Sequence, residues 1–371
     1  MNIGYEAKRV FHNKTGLGNY SRDSIRILAT YFPDHTYFLY NPKKSKENLF
    51  KYKNERVVEK LPSTAFYKRF YNIWRQKGIL NDLKKDQIQL FHGLSGELPN
   101  GLKRNGIKSV VTIHDLIFVR YPELYSFFDR KIHFYKFKKA AEQADLVIAI
   151  SEQTKNDIIE FLKIPEQKIK VIYQGCQDVF KQSYSEEKKS TVKAKYSLPN
   201  QFILNVGTIE ARKNALIIVK AIKETKTPLV LIGKETDYTK QIHDYIQENN
   251  LQDYVYFLKN VSSEELAIIY QLASIFVYPS IFEGFGIPII EALFSKTPVI
   301  TTNSGVFPEA GGPDSIYINP YQAEEISTKI KWLLDHPKEA EEISNKGLQY
   351  AAMFTDEAIA NALMNCYKSL F

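Results

Sequence analysis

The sequence predicts an α/β protein made of two Rossmann-like domains, each with a doubly wound parallel sheet. Short apolar runs alternate with helical patterns along the chain, which is typical of βαβ units. These runs fall into two series, and 371 residues exceed what one hydrophobic core usually serves. After an amino-terminal strand, the first series of expected strands covers 36–40, 88–91, 110–113, 146–150 and 169–173. The second series covers 202–206, 229–232, 255–258, 275–278, 299–301 and 316–318.

The boundary between the two domains is expected between Gln177 and Asn200. This stretch is polar and charged, and it contains Ser-Glu-Glu-Lys-Lys-Ser at 185–190. We therefore assign the first domain to 1–178 and the second to 196–355. The last segment, 356–371, has the apolar spacing of an amphipathic helix.

The composition is that of an ordinary globular protein, with 44% hydrophobic and 25% charged residues. No apolar run approaches the length needed to span a bilayer, and the amino terminus lacks the apolar core of a signal peptide. Only two cysteines occur, Cys176 and Cys366, so a disulfide framework is not expected. Together these features predict a cytoplasmic protein.

The net charge of +8 comes largely from the first half of the chain, where aromatic and basic residues are interleaved along 66–75. Two interpretations remain open for that stretch. An exposed amphipathic helix there could lie peripherally on the anionic inner face of the cell membrane. Alternatively, its aromatic residues form a core stripe beneath a solvated basic face, and we favour this interpretation. No recognisable motif for nucleic acid accompanies the charge, so nucleic acid is not an expected partner.

One strand–loop–helix segment carries the most information about function. Residues 275–279 are apolar and short enough to form a buried strand, and Pro288 suits the first turn of a following helix. Glu283 then lies in the loop, and Glu291 lies about one turn into the helix. Ligands bind at the carboxyl ends of strands in open α/β sheets. Carboxylates accept hydrogen bonds from hydroxyl groups, so the segment predicts a site for a hydroxyl-rich ligand.

The spacing of Glu283 and Glu291 resembles the Glu-x7-Glu signature of retaining GT-B glycosyltransferases, particularly glycosyltransferase family 4. In that family the first Glu contacts hydroxyls of the donor sugar, and the second contacts the ribose of the nucleotide. The resemblance implies the same roles here, with Gly284, Phe285 and Gly286 in the donor-binding loop. It also implies a GT-B architecture, in which the domains face each other across a deep cleft and the terminal helix crosses back to the first domain.

A second motif, at 202–214, places two cationic residues in the loop that follows a strand. The strand is expected to end at Gly207, and a short loop then carries Arg212 and Lys213 ahead of a helix. Fixed cations beside a helix amino end suit a diphosphate, whose charge grows as the sugar–phosphate bond breaks. The pair resembles the family's pyrophosphate-binding site, although many relatives have Arg directly after the glycine, where this chain has Thr208.

Three further motifs resemble family sites. Gly16 and Gly18 resemble the amino-terminal glycine loop that faces the donor phosphates and the acceptor. His114, at the carboxyl end of an expected strand, stands where the family has a His near the donor sugar and the attacking hydroxyl. Leu258 and Val261 bound a segment that resembles the one facing the nucleobase.

Taken with the resemblance, these motifs predict a retaining hexosyltransferase whose catalytic groups are Glu283, His114, Arg212 and Lys213. The stretch Gly-Thr-Ile-Glu-Ala-Arg-Lys-Asn resembles mannosyltransferase-like members, so GDP-mannose is the lead donor. UDP-glucose and UDP-N-acetylglucosamine remain alternatives. The expected acceptor is a glycan or lipid-linked oligosaccharide in surface polysaccharide synthesis.

The sequence contains neither an Asp-x-Asp metal signature nor a His/Cys cluster with the spacing of a zinc site. We therefore expect no metal and no cofactor, with cationic side chains stabilising the leaving diphosphate instead. Two other functions remain open. One is a sugar-nucleotide epimerase of GT-B fold, and the other is a non-catalytic protein that binds nucleotide sugars.

Overall fold

The chain forms two compact units in the computed structural model, which describes residues 1–47 and 49–371. The first unit comprises Met1–Gln174 and Thr355–Phe371, and the second comprises Gly175–Phe354. Each unit is built on a sheet whose strands pair in parallel. The predicted α/β class is therefore confirmed.

The sheet of the first unit has its amino-terminal strand at the centre. Its strands are β1 Asn2–Glu6, β2 Thr36–Tyr40, β3 Val57–Lys60, β4 Leu90–Gly93, β5 Lys108–Ile113, β6 Leu146–Ala149 and β7 Ile169–Val171. They lie in the order β3-β2-β1-β4-β5-β6-β7. The edge strand β3 is missing from the sequence-based prediction because two of its four residues are charged and none is buried. Every residue of β4 and β6 is buried, as expected for central strands.

Helices connect these strands. They are α1 Lys8–His12, α2 Gly16–Tyr31, α3 Ala65–Arg69, α4 Tyr71–Ile73, α5 Ile79–Lys85, α6 Ile117–Arg120, α7 Phe127–Gln143, α8 Glu152–Asp157 and the carboxyl-terminal helix α17 Asp356–Lys368. Wider π-helical turns occur at Trp74–Gly78 and Ile158–Leu162, and 3-10 turns at Lys103–Asn105, Pro122–Leu124 and Glu166–Lys168. Ser126 caps α7 and Ser151 caps α8, each by accepting a hydrogen bond from a backbone N–H of the first turn.

The carboxyl-terminal helix α17 packs within the first unit, against α2. Its buried side chains include Leu363, Met364 and Tyr367, which join the core cluster around β1 and β2. At the start of the helix, Asp356 forms an ion pair with Arg26 of α2 at 2.6 Å. Apolar burial and this ion pair therefore attach the end of the chain to its first residues.

The aromatic and basic stretch at 66–75 is not one helix with a core stripe. It is divided among α3, α4 and a π-helical turn. Trp74 is fully buried, but Phe66, Phe70 and Ile73 are 55%, 48% and 48% exposed. The favoured interpretation of an aromatic core stripe is therefore wrong for Phe66 and Phe70, because the helix α3 ends at Arg69 and the helical register breaks at Phe70. Among the described residues, no helix is both long and apolar enough to cross a bilayer.

The second unit repeats the scheme with a smaller sheet. Its strands are β8 Ile203–Val206, β9 Leu229–Ile232, β10 Val255–Leu258, β11 Ile275–Tyr278, β12 Val299–Thr302 and β13 Ile316–Ile318, in the order β10-β9-β8-β11-β12-β13. Its helices are α9 Glu186–Lys195, α10 Ala215–Ala221, α11 Thr239–Glu248, α12 Ser263–Leu272, α13 Ile287–Phe294, α14 Phe307–Gly311, α15 Ala323–Asp335 and α16 Pro337–Ala351. Short 3-10 turns lie at Asp178–Phe180, Ala211–Lys213 and Ala352–Phe354.

Residues 179–195, which the sequence-based boundaries left between the domains, belong to the second unit. Helix α9 packs on α12 there. Val192 is buried, and Lys188 and Lys195 form ion pairs with Glu264 and Glu265 of α12 at 2.6 and 2.5 Å. A strongly charged segment is thus ordered by complementary charge on its neighbour, which local composition does not reveal.

Candidate active site

Two loops meet at the carboxyl edge of the second sheet because their strands, β8 and β11, are neighbours. The backbone N–H of Ile281 donates to the carbonyl oxygen of Arg212 at 2.9 Å. The side-chain amide of Asn214 donates to the carbonyl oxygen of Pro279 at 3.3 Å. Segments about 70 residues apart in sequence are thereby held together at the edge where α/β sheets bind ligands.

Glu283 is the centre of this region. Arg212 Nη1 lies 2.9 Å and Lys213 Nζ 2.5 Å from its Oε1 atom. Tyr278 and Ser280 also donate hydroxyl hydrogen bonds to Oε1, at 3.2 and 2.8 Å. Because these four contacts converge on Oε1, Oε2 is the oxygen better placed to accept from a ligand. Glu210 also contacts Arg212, so the cluster holds two cations and two carboxylates.

The ionisation of Glu283 follows from these contacts. Burial alone raises the pKa of this carboxyl, but the charges of Lys213 and Arg212 outweigh burial and hold the pKa below its ordinary value. Glu283 is therefore ionised at neutral pH. An ionised carboxylate accepts stronger hydrogen bonds from hydroxyl groups than a neutral acid does.

Arg212 and Lys213 differ in how firmly they are held. The Arg212 guanidinium also contacts Glu210 at 2.7 Å and donates to the carbonyl oxygen of Phe282, so it is fixed between two carboxylates and the backbone. Lys213 Nζ contacts the hydroxyl of Tyr278 at 2.6 Å besides Glu283. The more lightly held ammonium of Lys213 is the better candidate to turn toward an anionic ligand.

Glu291 lies in the second turn of α13, as its spacing from Pro288 predicts. The hydroxyl of Tyr270 donates to Glu291 Oε2 at 3.0 Å. Burial raises the pKa of Glu291 to about 7, and the Tyr270 hydrogen bond opposes this rise only in part. No cation contacts Glu291 among the residues that the structure describes, so Glu291 contrasts with Glu283 and is poised between its two protonation states at neutral pH.

The glycines of the two loops have different roles. Gly207 and Gly286 have φ of 145° and 123°, a region that side chains other than glycine rarely adopt. Gly284 is not in this region. Phe285 is 3% exposed and packs on Phe354, so its side chain belongs to the core and not to a ligand contact. Only the backbone at Phe285 is left for donor binding.

The segment assigned to the nucleobase lies at the same edge of the sheet. Leu258 ends β10 and is in register with Ile232, which in turn is in register with Val206 before Gly207. Leu258 and Val261 are half-buried, whereas Thr208 is exposed. In residues 1–47 and 49–371, no group of three or more His, Cys, Asp or Glu side chains is arranged to hold a metal ion.

In the first unit, His114 follows β5 at the carboxyl edge of the sheet and is 9% exposed. Its Nε2 lies 2.9 Å from the carbonyl oxygen of Leu94, which can only accept, so Nε2 carries the proton and Nδ1 is left as an acceptor. Burial lowers the pKa of His114 to about 4. The imidazole is therefore neutral at neutral pH, and it can orient a hydroxyl through Nδ1 but is a weak base.

A series of buried, hydrogen-bonded side chains begins beside His114. The ring of Tyr20 meets the His114 ring edge-on, with centroids 4.6 Å apart. The Tyr20 hydroxyl lies 3.1 Å from the hydroxyl of Thr112, which is 2.8 Å from His92 Nε2. His92 Nδ1 is 2.7 Å from the hydroxyl of Tyr367 in α17. The last helix of the chain is thus connected to the surroundings of His114.

Gly16 and Gly18 do not form a loop, which corrects the sequence-based prediction. Both lie in the first turn of α2, and α1 separates them from β1. A Cβ at Gly18 would come within 2.0 Å of the carbonyl oxygen of Asn13, so glycine is required there for close packing of the backbone. A Cβ at Gly16 would meet nothing within 4 Å. Packing explains Gly18 and leaves Gly16 without a structural requirement.

Comparison with known proteins identifies the family. Glycosyl transferases group 1 matches residues 186–350, and Glycosyltransferase Family 4 matches residues 22–178. The two matches together span most of both units. The chain belongs to these glycosyltransferases.

This glycosyltransferase is similar over its whole length to O-antigen chain mannosyltransferase B of Escherichia coli. The two are 26% identical over 395 residues, which cover 100% of each chain. It is also 30% identical over 243 residues to O-antigen chain mannosyltransferase RfbU of Salmonella typhimurium, covering 65% of each chain.

Solved structures extend the likeness to the fold. Sucrose-phosphate synthase from Thermosynechococcus elongatus superimposes with a TM-score of 0.80 at 22% identity, covering 100% of this chain and 99% of the other. HepE from Anabaena, in complex with UDP-glucose, superimposes with a TM-score of 0.75 at 16% identity and covers 100% of both chains. These likenesses confirm the predicted GT-B class of fold.

Three supporting residues of this glycosyltransferase escape sequence analysis: Glu210, Tyr278 and Tyr270. Tyr278 ends a buried strand, and the apolar run alone predicts only a core position for its ring. Its hydroxyl, however, contacts both Glu283 and Lys213. A tyrosine at the carboxyl end of a strand, directly before a motif, is the signal that could have indicated this contact.

Proposed function

We propose that this glycosyltransferase transfers mannose, with GDP-mannose as the lead donor, to a glycan or lipid-linked acceptor during synthesis of a surface polysaccharide. The names of the two O-antigen chain mannosyltransferases support the sugar and the class of product. UDP-glucose remains an alternative donor, supported by its presence in the complex of the structurally similar HepE. The contact of Glu283 with both Arg212 and Lys213 is the observation that carries the chemistry.

Glu283 would hold the donor sugar through Oε2, because its other oxygen is already occupied by four protein groups. Its lowered pKa keeps the carboxylate ionised, which favours hydrogen bonds from sugar hydroxyls. Glu291, in the following helix, would accept hydrogen bonds from the ribose hydroxyls of the nucleotide.

Arg212 and Lys213 would stabilise the negative charge that develops on the leaving diphosphate. The bond between the anomeric carbon and the phosphate oxygen breaks while the acceptor oxygen forms its bond on the same face of the sugar. The acceptor proton passes to the departing phosphate oxygen, so configuration is retained and no protein base is required. This route agrees with the pKa of His114, which at about 4 is too low for an effective base at neutral pH.

We also propose that transfer is independent of metal ions, because two fixed side-chain cations can supply the positive charge beside the diphosphate. Addition of a chelator to the purified enzyme should leave the rate of transfer unchanged. A loss of activity that is restored by a divalent cation would contradict this part of the proposal.

The proposed location is the cytoplasm, with peripheral contact to the inner face of the cell membrane, where a lipid-linked acceptor would be reached. Nucleic acid is not a proposed partner. The basic amino-terminal unit would provide the membrane contact.

A donor panel tests the proposed function. GDP-mannose, UDP-glucose and UDP-N-acetylglucosamine are compared by thermal shift, and the best ligand is then incubated with a mannose-terminated acceptor. GDP-mannose should raise the melting temperature most, since ligand binding stabilises the folded state by mass action. The product should retain the donor's anomeric configuration by NMR. Nucleotide release without any acceptor would favour the epimerase, and binding without transfer would favour a non-catalytic protein.

A further inference from the structure

Helix α7 carries a row of solvent-exposed apolar side chains on its outer face. Phe128, Ile132 and Tyr135 are 76%, 53% and 65% exposed. Their spacing of four and three residues puts all three on one side of the helix. Single exposed apolar residues are ordinary on protein surfaces, but a continuous row of large ones marks an interaction site.

The opposite face of the same helix already has its partner. Ala140 and Ala141 are buried, and Phe134 and Phe137 pack on the core cluster of the first unit. Packing of α7 onto its own unit is therefore complete without the outer row. An ordinary surface helix would have polar residues at those outer positions.

Lysines flank the outer row. Lys131 lies between Phe128 and Ile132 in sequence, and its Nζ is 4.4 Å from the centroid of the Phe127 ring. Lys139 continues the row one turn after Tyr135, with its Nζ 5.9 Å from the Tyr135 centroid. In the part of the chain that the structure describes, neither lysine has an acidic partner. We call Phe128, Lys131, Ile132, Tyr135 and Lys139 the α7 surface.

A second apolar and basic segment adjoins α7 in the same unit. Glu97 accepts from Arg75 at 2.6 Å and from Lys136 at 3.5 Å, so it links the turn after α4 to α7. The exposed rings of Phe66 and Phe70 lie 5.0 Å apart just before that turn. Two segments with exposed aromatic and basic residues are thus joined through one carboxylate.

We propose that the α7 surface binds the anionic surface of a lipid membrane. This deepens the membrane contact included in the proposed function, and it rests on that proposal for the acceptor being lipid-linked. Aromatic rings insert at the boundary between headgroups and acyl chains, while lysines bind anionic headgroups. The α7 surface supplies both on one side of one helix.

A second copy of the chain fits this surface less well. In a symmetric dimer the same patch would lie on both sides of the interface, so the unpaired lysines would approach each other. Like charges at an interface disfavour association. The charge of the α7 surface therefore favours an anionic membrane over self-association.

Vesicle co-sedimentation of the full-length protein tests the proposal. Vesicles of phosphatidylcholine alone are compared with vesicles that also contain phosphatidylglycerol. The variants are Phe128→Ser with Ile132→Ser, and Lys131→Gln with Lys139→Gln. Tyr321→Ser is the matched control, because Tyr321 is 68% exposed but lies in the second unit. Thermal melts establish that each variant is folded.

The wild type and the Tyr321 control should bind the anionic vesicles, and both double variants should bind about tenfold more weakly or not at all. Added salt should weaken wild-type binding. Wild-type-like binding by the double variants would overturn the proposal. An absence of vesicle binding by the wild type would also overturn it, and a wild-type dimer that the Phe128 and Ile132 changes dissociate would then assign the surface to self-association.

Transfer to a water-soluble acceptor separates this inference from the proposed function. The double variants should keep that activity while losing vesicle binding. If the wild type binds vesicles through α7 but transfers no sugar, the proposed function fails and the membrane surface stands. If the wild type transfers sugar but the double variants still bind vesicles, the membrane surface fails alone.

Discussion

Lys213 Nζ lies 2.5 Å from Glu283 Oε1, so a cation from the loop after β8 and a carboxylate from the loop after β11 form one charged group. Arg212 meets the same oxygen at 2.9 Å. The two sequence motifs are therefore parts of one site. A diphosphate that enters this region would compete with Glu283 for the two cations.

Changing Glu283 to Gln should abolish most transfer while leaving the fold intact. The amide keeps the size of the side chain but loses the charge that holds sugar hydroxyls and balances the two cations. We expect turnover to fall on the order of 10²-fold, as for loss of a preorganised charge contact in other active sites. Binding of GDP should stay the same or become tighter, because Arg212 and Lys213 are released. A steady-state assay with isothermal titration of GDP checks both expectations; turnover near that of the wild type would contradict the role of Glu283.

Changing Lys213 to Met should weaken the binding of diphosphates selectively. A charged hydrogen bond is worth about 1.5–3 kcal/mol, which corresponds to roughly 10- to 100-fold in the dissociation constant of GDP. Guanosine, which lacks phosphate, should bind equally to the variant and the wild type. The exposed Lys223, changed to Met in the same unit, serves as the control. Equal weakening of GDP and guanosine binding would instead indicate a general distortion of the site.

Changing Glu291 to Gln should stabilise the protein at alkaline pH. Burial raises the folded-state pKa from the ordinary 4.5 to about 7, so the folded state binds more protons than the unfolded state between these values. Stability is therefore lost as pH rises through this window, and Gln removes the loss. Above pH 7 the variant should be more stable by about 3 kcal/mol, with no difference at pH 4.

Scanning calorimetry of the wild type and the Glu291 variant between pH 4 and 8.5 measures this difference. The exposed Glu248, changed to Gln, provides the control for loss of a carboxylate. A constant difference across the whole range would mean that the effect does not come from the titration of Glu291. In the same variant GDP should bind more weakly if Glu291 holds ribose.

Changing Tyr367 to Phe should destabilise the first unit by about 1–3 kcal/mol, because the buried His92 Nδ1 loses its partner. Trp74 is buried in the first unit and can report on its unfolding in urea once Trp332, in the second unit, is replaced by Phe. The exposed Tyr321, changed to Phe, should have no effect. An unchanged unfolding midpoint for the Tyr367 variant would show that the hydrogen bond between Tyr367 and His92 does not stabilise this unit.

Much of the fold follows from local sequence patterns. All eleven strands expected between 36 and 318 overlap an observed strand, and their bounds differ by no more than two residues, as for 146–150 against Leu146–Ala149. The placement of Glu283 in a loop and Glu291 in a helix also follows, since Pro288 and the preceding apolar run define both ends of the segment. Errors occur where a local pattern has two outcomes. Gly16 and Gly18 could begin a helix or form a loop, and packing against Asn13 decides for the helix.

The site shows the same division. The sequence alone determined the positions of Glu283, Glu291, Arg212 and Lys213 on their elements, because strand ends and glycines are local features. Only the tertiary structure decided that Arg212 and Lys213 meet Glu283 and that burial raises the pKa of Glu291 to about 7. It also decided that Phe128 and Tyr135 of α7 face outward. These outcomes depend on which strands are neighbours and on which atoms are removed from water. Neither quantity is contained in the spacing of residues along the chain.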